Sequence, residues 1–348
     1  MTAKYIDLRS DTLTLPSAEM KEAMFNAPLG DDVFGEDPSV NALQDYAANL
    51  FGMEAALFCS SGTQTNQIAI KLHTQPGDEV ICDALSHVYL YEGGGIAFNS
   101  GASVRLLNGH YGRFTAQDVL NNINDDNVHF PASKLVCIEN TVNKGGGACW
   151  DLNELKNIQT VCRQHNLAFH LDGARLFNAI VAKGEDPKTY GQLFDTISIC
   201  LSKGLGAPVG SLLLGSKAHI YKARRLRKVM GGGMRQAGLL AAAGLYALQH
   251  NVNRLAEDHL KAQMIAQCLS QRPWVDTLYP VATNIVIFKL ADTLPSAQLL
   301  DHLSQHGFKA SSMGSQLIRF VTHLDQSVED IESLCGCLEG VGKISATI

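Results

Sequence analysis

The sequence predicts an α/β protein: a mainly parallel, seven-stranded sheet between layers of helices, followed by a small α+β domain. From residue 55 to about 215, short apolar runs alternate with helical patterns. Most of these runs are apolar throughout, as in strands that are covered on both faces. The chain has 348 residues, more than one hydrophobic core usually accommodates, so two domains are expected.

The elements of the first domain follow in chain order. The candidate strands are 55–59, 79–83, 103–107, 134–139, 167–172, 196–201 and 211–215. Helices are expected between several of them, and residues 152–165 form one that begins after the capping residue Asp151. The repeated strand–helix–strand order predicts parallel strands with helices on both faces of the sheet.

The pattern changes after these strands. Two helices, about 216–229 and 235–249, are followed by a long amphipathic helix at about 251–271. The remaining segments are strand 283–290, helix 296–305, strand 308–311, strand 317–323 and helix 327–341. The predicted domains are therefore 1–250, with an N-terminal arm at about 1–30, and 251–348, although no low-complexity linker marks the boundary.

Composition excludes several classes of protein. The net charge of −6 argues against nucleic-acid binding as the main role. The nine cysteines are odd in number and contain no CxxC pair, so neither a disulfide framework nor a zinc site is predicted. The segment MTAKYIDLRSD lacks the apolar core of an export signal, and the longest apolar region is broken by Lys203, Pro208 and glycines. No membrane segment and a cytoplasmic location are therefore expected.

Three short segments carry candidate site residues. In FCSSGTQTNQ a strand ends and Thr63 begins a helix, so Gly62, the Thr63 hydroxyl and free amides could hold a phosphate, although such junctions also occur without ligands. Asp172 follows a strand, at a sheet edge that can bind ligands; it could equally cap the next helix, with Arg175 as a surface partner. Lys203 follows the next strand, where an amine can act as a nucleophile or simply extend to solvent.

Together the three segments fit one cofactor. Pyridoxal 5'-phosphate (PLP) needs a lysine to bind its aldehyde, a carboxylate to keep its pyridine nitrogen protonated, and a phosphate cradle. The chain supplies these groups in the order cradle, Asp172, Lys203, each at the end of its own strand. The residues therefore predict a PLP enzyme.

The sequence also resembles a known family. Its motifs are similar, in order, to those of the low-specificity L-threonine aldolases: IDLRSDTLTLPS, GDDVFGEDPSVNALQ, SSGTQTNQ, HVYLYEGGG, HLDGARLFNA, ICLSKGLGAPVGSLLLG and RKVMGGGMRQAG. The resemblance implies PLP fold type I, the fold of aspartate aminotransferase. It also implies cleavage of L-threonine, L-allo-threonine and related β-hydroxy-α-amino acids to glycine and an aldehyde, in threonine catabolism and glycine biosynthesis.

The resemblance implies roles at the cofactor. Lys203 would be the Schiff-base lysine, and Asp172 would bind the pyridine nitrogen. Gly62 and Thr63 would hold the phosphate. His87 would stack on the cofactor ring and take part in catalysis.

Further implied roles concern the substrate and the oligomer. Arg175 would reach a cofactor oxygen or the substrate carboxylate. Ser10 and Arg319 would complete the carboxylate site, since a guanidinium can bind a carboxylate through two nitrogens. Lys228 and Arg235 would project across a dimer interface toward the phosphate of a partner subunit, in a homodimer or a homotetramer.

The basic run KARRLRK, residues 222–228, has other interpretations. It could be a solvated helix face. A nucleic-acid surface is disfavoured by the acidic chain. The resemblance instead implies that the run belongs to the dimer interface.

One position departs from the family pattern. Where many members read Glu-Asn-Thr-His-Asn, this chain reads ENTVN, with Val142 in place of a histidine near the substrate hydroxyl. We therefore expect His87, or a water that it positions, to supply the base, and discrimination between threonine and allo-threonine to be weak or altered. The following KGGGACW, with the bulky Trp150, predicts a reshaped side-chain pocket.

Three other functions stay open on the sequence. One is β-elimination or another β-hydroxy-amino-acid lyase reaction on the same scaffold, such as phenylserine cleavage. Another is a non-catalytic PLP-binding homologue, which would not need residues that bind a substrate carboxylate. The third is a lysine aldolase without cofactor, which would need neither a phosphate cradle nor Asp172 and would be colourless.

Overall fold

The computed structural model describes residues 5–341. In chain order the strands are β1 (Ile6–Asp7), β2 (Ala55–Cys59), β3 (Asp78–Asp83), β4 (Ser103–Leu107), β5 (Ala132–Glu139), β6 (Ala168–Gly173), β7 (Thr196–Cys200), β8 (Ser211–Gly215), β9 (Val275–Leu278), β10 (Ile285–Leu290), β11 (Phe308–Lys309), β12 (Ser311–Ser312) and β13 (Leu317–Val321). The helices are α1 (Ala18–Phe25), α2 (Pro38–Phe51), α3 (Gly62–His73), α4 (His87–Leu90), α5 (Ala116–Leu120), α6 (Leu152–Gln164), α7 (Leu176–Lys183), α8 (Pro187–Leu193), α9 (Lys217–Val229), α10 (Gly238–His250), α11 (Leu255–Ser270), α12 (Ser296–Gln305) and α13 (Val328–Gly340). The described residues also form a 3₁₀ turn at Asp11–Leu13 and a π-helical turn at Ile96–Ser100.

Seven strands form the large sheet, in the order β2-β8-β7-β6-β5-β3-β4. The strands from β7 to β4 are parallel, whereas β8 is antiparallel to both of its neighbours. Every residue of β7 and β8 is buried, because both faces of the sheet are covered. The prediction of a mainly parallel seven-stranded sheet is confirmed.

The small sheet has the order β12-β13-β10-β9 and is antiparallel. The predicted strand 308–311 is wrong as a single element, because β11 pairs with β1 while β12 pairs with β13. Helix α10 begins at Gly238 and α11 at Leu255, each later than predicted, since turns occupy the residues before them.

The chain has two main hydrophobic cores. One is built on the large sheet, with Phe58 and Leu212 among its members, and the other lies between the small sheet and α11–α13, with Phe288 and Phe320. Leu8 belongs to the second core, so the N-terminal segment packs on the C-terminal part of the chain. The domain boundary near residue 250 and the extent of the N-terminal arm stay predictions.

The large sheet places three strand ends side by side. Glu139 at the end of β5 pairs with Asp172 at the end of β6, and Asp172 pairs with Ser198 of β7. The segment to Lys203 continues from β7, so these groups meet at the carboxyl edge of the sheet, where open α/β sheets bind ligands. Among the described residues, no helix combines the length and apolar character that crossing a membrane requires.

Candidate active site

A cavity of ≈ 350 Å³ brings together residues of the large sheet, the N-terminal segment and the small sheet. Five residues predicted for the site line it: Ser10, His87, Arg175, Lys203 and Arg319. Tyr91 and Asn143 also line the cavity but were missed from the sequence. Asn143 could have been found, because it is a polar residue shortly after the end of a buried strand.

Asp172 is a buried carboxylate that forms no ion pair with another described residue. Its oxygens accept hydrogen bonds from Asn66 Nδ2 at 3.0 Å and from the backbone N–H of Ala174 at 3.1 Å. Both donors are neutral, and burying an uncompensated carboxylate is costly. The site is therefore suited to a ligand that brings a positive charge to Asp172.

Asn66 fixes the position of this carboxylate, and its role was missed from the sequence. Its Nδ2 also donates to Glu92 Oε1 at 2.8 Å, and its Oδ1 lies 3.2 Å from Nε2 of His170. Burial lowers the pKa of His170 to about 4, so this imidazole is neutral. The other ring nitrogen, Nδ1, lies 2.9 Å from Thr196 Oγ1 and 3.1 Å from the Thr196 carbonyl oxygen, so the ring faces Asn66 Oδ1 on one side and β7 on the other, while the Asn66 NH₂ group faces the carboxylates.

His87 is held by two carboxylates. Its Nδ1 lies 2.9 Å from Glu92 Oε1, and its backbone N–H donates to Glu139 Oε2 at 2.8 Å. Burial disfavours the charged imidazole, but the Glu92 bond and the charge of Asp172 outweigh it and raise the pKa of His87. Since Nδ1 is used by Glu92, Nε2 is the nitrogen left for a bound molecule.

Glu139 completes the carboxylate group around His87. Burial, together with the charge of Asp172, raises the pKa of Glu139 to about 7, although the backbone N–H groups of Asn143 and His87 act in the opposite direction. Three carboxyl groups thus share one buried region with His87. Their combined negative charge favours the protonated form of His87 and of any basic group that binds beside them.

Arg175 forms a buried, bidentate ion pair with Asp11. The Nε and Nη2 groups of Arg175 donate to Asp11 at 2.8 and 2.6 Å. Burial alone would raise the pKa of Asp11, but Arg175 and the nearby charge of Lys203 hold it below its usual range. Arg175 therefore keeps both N–H groups of Nη1 and one N–H of Nη2 for a ligand, and its predicted contact with the substrate stays a prediction.

Arg319 has no carboxylate partner among the described residues. Its Nη1 donates to Asn143 Oδ1 at 2.8 Å and its Nη2 to the Arg9 carbonyl at 2.9 Å, while Nε is buried and unpaired. Burial and then the charge of Arg175 lower the pKa of Arg319. Two neighbouring guanidinium groups, one of them paired only with neutral oxygens, create a site for an anion such as a carboxylate.

The start of α3 provides the candidate phosphate cradle. Ser61 caps the helix, with its Oγ accepting the Gln64 N–H at 3.2 Å. A Cβ at Gly62 would lie 2.6 Å from Cys200 Sγ, so glycine is needed where the helix packs on the end of β7. The amides of Gly62 and Thr63 have no acceptor among the described residues, as expected in the first turn of a helix.

Val142 is not part of the cavity wall. Its side chain is buried, and a Cβ on Gly112 would lie 2.6 Å from Val142 Cγ1. Its backbone pairs with Ala148 and thereby closes a turn, while the next residue, Asn143, faces the cavity. This turn directs the Val142 side chain into the core built on the large sheet, and the expectation that a group at position 142 acts beside the substrate stays a prediction.

Val142→His is therefore expected to destabilise the folded protein and not to raise its rate of threonine cleavage. A larger side chain against Gly112 overpacks the core, which typically costs ~1–3 kcal/mol of unfolding free energy. We expect no gain in threonine cleavage, measured as initial rates beside urea unfolding. Asn143→His is the matched variant, because it places an imidazole in the cavity. A many-fold gain in the rate of threonine cleavage by Val142→His, but not by Asn143→His, would contradict the buried position of the side chain at residue 142.

Lys228 and Arg235 lie outside this cavity in a single chain. Lys228 is exposed and lines a second cavity of ≈ 370 Å³ with Arg224 and Arg225, and Arg235 pairs with Asp31 at 2.9 Å. The basic run is not a simply solvated helix face, because Arg227 within it is buried and forms an ion pair with Asp32. Their predicted contact with a phosphate stays a prediction.

Comparison with known proteins identifies the family. Residues 7–293 match the beta-eliminating lyases. The chain belongs to this family. Among its beta-eliminating lyase relatives, a low-specificity L-threonine aldolase of Escherichia coli (strain K12) is 45% identical over 94% of this chain and 96% of its own. One from Arabidopsis thaliana is 37% identical and covers 97% of both chains.

The fold is also that of a solved family member. The threonine aldolase of Leishmania major superposes with a TM-score of 0.84, covering 96% of this chain and 99% of its own at 22% identity. The predicted α/β fold of the aspartate-aminotransferase type is thus confirmed for this beta-eliminating lyase. The predicted membership of the low-specificity L-threonine aldolases is confirmed as well.

Proposed function

We propose that the protein cleaves L-threonine, L-allo-threonine and related β-hydroxy-α-amino acids to glycine and an aldehyde, with PLP as its cofactor. The observation that carries this proposal is a buried Asp172, hydrogen-bonded among the described residues only to neutral donors, which lies beside His87 of a cavity that Lys203 and two arginines also line. Relatives named low-specificity L-threonine aldolases, at up to 45% identity over most of the chain, support it.

The residues fit the cofactor. Asp172 would accept a hydrogen bond from its protonated ring nitrogen, and this nitrogen would supply the positive charge that the neutral donors around the carboxylate do not. The amides of Gly62 and Thr63 would bind its phosphate, Lys203 would bind its aldehyde carbon, and His87 would lie against its ring. When bound, the cofactor supplies a protonated ring that stabilises negative charge on Cα as the Cα–Cβ bond breaks.

The cationic side chains would bind the substrate. Arg319, with Arg175 and Ser10, would hold the substrate carboxylate at the wall formed by β13 and the N-terminal segment. Fixing the carboxylate and the amino group sets the direction of the Cα–Cβ bond, and orientation of this kind contributes a large part of many rate enhancements.

His87 would remove the proton of the β-hydroxyl, directly or through a water. Glu92 holds Nδ1, so Nε2 would be the basic atom. A positioned base typically contributes ~10²–10⁴-fold to the rate. Because the pKa of His87 is raised, its neutral, basic form is reached at a higher pH than for a free imidazole.

We also propose a homodimer or homotetramer in the cytoplasm, with roles in threonine catabolism and glycine biosynthesis. Exposed apolar side chains lie on the segments that carry the Lys228 cavity: Phe34 (73% exposed), Tyr221 (66%) and Val229 (83%). Such exposure is typical of a surface that another subunit covers. Lys228 and Arg235 would then reach the phosphate of the partner subunit.

A mixing experiment tests whether Lys228 acts in the partner's site. Lys228→Ala and Lys203→Ala are each expected to be inactive alone, whereas co-expression should restore activity to about a quarter of wild type, since random dimers rebuild one complete site in half of them. No restoration would show that Lys228 serves its own subunit.

Cleavage of β-aryl serines is the second candidate function. Tyr91 and Met313 line the cavity and offer apolar surface to an aromatic side chain. The Cα–Cβ bond would be cleaved in the same way, and only the released aldehyde would differ.

One assay separates these functions. The purified, PLP-loaded protein is given L-threonine, L-allo-threonine, phenylserine and L-serine in turn, and aldehyde, glycine, pyruvate and ammonia are measured. We expect acetaldehyde and glycine in equal amounts from both threonines. A yellow protein that releases no aldehyde would reject the aldolase proposal, and activity in a colourless protein would reject the cofactor. Release of benzaldehyde alone would show that β-aryl serines are the substrates. Release of pyruvate from serine would indicate β-elimination.

A further inference from the structure

A cluster of two imidazoles and a thiol lies in the small domain, away from the proposed active site. His302 is on α12, His306 follows its last residue, and Cys337 is on α13. One ligand atom from each lies within 4.8 Å of the other two. We propose that His302, His306 and Cys337 bind a zinc ion.

The spacing of the two histidines explains their juxtaposition. Residues four apart lie on the same face of a helix, and the ring centroids of His302 and His306 are 4.2 Å apart. His306 Nδ1 lies 2.8 Å from the His302 carbonyl oxygen, which can only accept, so Nδ1 carries the proton. The other nitrogen, Nε2, then keeps its lone pair, and a backbone carbonyl that fixes the tautomer in this way is a common partner of metal-binding histidines.

The distances among the three ligand atoms are compatible with a tetrahedral site once the side chains rotate inward. Zinc at its usual bond lengths places neighbouring ligand atoms ~3.5 Å apart, so the present 4.8 Å limit requires only a small inward rotation of side chains. His306 is exposed and free to make this movement. Three protein ligands would leave a fourth position for water or another small ligand.

The surroundings favour a cation. Helix α12 ends at Gln305 and α13 at Gly340, so the cluster lies at the carboxyl ends of two helices, where the helix dipoles are negative. An imidazole and thiolate set suits zinc, whereas magnesium and calcium prefer oxygen ligands.

A zinc ion here would join α12 to α13. Leu303 and Leu338, the neighbours of the ligands on the two helices, are fully buried in the core of the small domain. The ion would therefore stabilise that core, as any ligand does that binds only the folded state. The proposal is independent of the reaction at Lys203.

The test is calorimetric titration of the full-length, PLP-loaded protein with Zn²⁺ after removal of metals by a chelator and dialysis. We expect one Zn²⁺ per chain and a higher unfolding temperature with Zn²⁺. His302→Ala, His306→Ala and Cys337→Ala should each weaken binding by more than the ~10–100-fold that outer-shell partners cost. Cys335→Ala is the matched control, since it removes a half-buried thiol two residues earlier on the same helix and should bind Zn²⁺ normally.

Several results would overturn the proposal. They are no Zn²⁺ binding by the wild type, full binding by Cys337→Ala or His306→Ala, or loss of binding in Cys335→Ala. Circular dichroism of each variant without Zn²⁺ verifies that it is folded. Binding of Co²⁺ with the visible spectrum of a tetrahedral thiolate site, absent in Cys337→Ala, provides a second readout that does not depend on stability.

Discussion

Lys203→Ala is expected to lower kcat/KM for threonine cleavage by at least ~10⁴-fold. Lys203 would hold the cofactor beside the substrate, and reactants held in one site react as if at effective concentrations of ~10⁵–10⁸ M, an advantage that the variant loses. Lys203 follows β7, and its backbone carbonyl accepts a hydrogen bond from Thr14 Oγ1 at 2.9 Å. This bond ties the lysine segment to the N-terminal segment, next to Asp11 and the arginines. The variant should also lose the yellow colour of the PLP-loaded protein.

The control for this variant is Lys289→Ala. Lys289 is half exposed on β10 and pairs only with Asp276 on the surface, so its removal should leave both colour and rate near those of the wild type. Steady-state assays with equal protein and excess PLP compare the two. A Lys203→Ala protein that keeps its colour and most of its rate would contradict the assigned role.

Asp172→Asn is expected to lower kcat by ~10²–10³-fold, the usual effect of removing one preorganised electrostatic contact from a site. The side chain keeps its shape and one acceptor oxygen, so the contact with the Ala174 N–H can persist. The charge that would balance a protonated ring is lost. Because the charge of Asp172 also raises the pKa of His87, the acid limb of the pH–rate profile should move to lower pH.

This shift in the pH profile distinguishes a charge effect from damage to the fold. Asp78→Asn is the matched control. Asp78 is also buried, but it lies at the start of β3, at the amino-terminal ends of the parallel strands and away from the site. There it accepts a hydrogen bond from the Gln75 N–H at 2.9 Å. The control variant should change neither the rate nor the profile. An Asp172→Asn enzyme with a normal rate and an unmoved profile would contradict the proposed contact with the ring nitrogen.

The sequence predicts the parts of the site that sit at strand ends. The carboxyl ends of neighbouring parallel strands meet at one edge, so Asp172 and Lys203 could be brought together from the order of strands alone. The glycine at the start of α3 was likewise visible, since the strand–turn–helix pattern there is local.

The residues that surround these groups could not be predicted in the same way. Asn66 contacts Asp172, and Glu139 contacts His87, across long separations in the chain, and the burial of these groups depends on how the elements pack. Glu92 stands before three glycines and reads as an exposed loop residue, yet it is buried. The direction of the Val142 side chain depends on a turn that no local pattern indicates.

The differences in the fold have a similar cause. Strand β8 is antiparallel to both of its neighbours, but its continuous apolar run resembles those of the parallel strands β3 and β7, because all three are buried on both faces. Strands β1, β11 and β12 have two residues each, too few for any periodicity to appear. Likewise, the contact of Cys337 with the His302–His306 pair arises from the packing of α12 on its neighbours, and not from spacing in the sequence.

The central claim, that Lys203 carries PLP opposite Asp172, is tested most directly by chemical trapping. The PLP-loaded protein is treated with sodium borohydride, which makes a lysine–PLP bond permanent, and the modified peptide is identified by mass spectrometry. We expect the pyridoxyl mass on Lys203 and complete loss of aldolase activity. Modification of another lysine such as Lys228, or of none, would contradict the account.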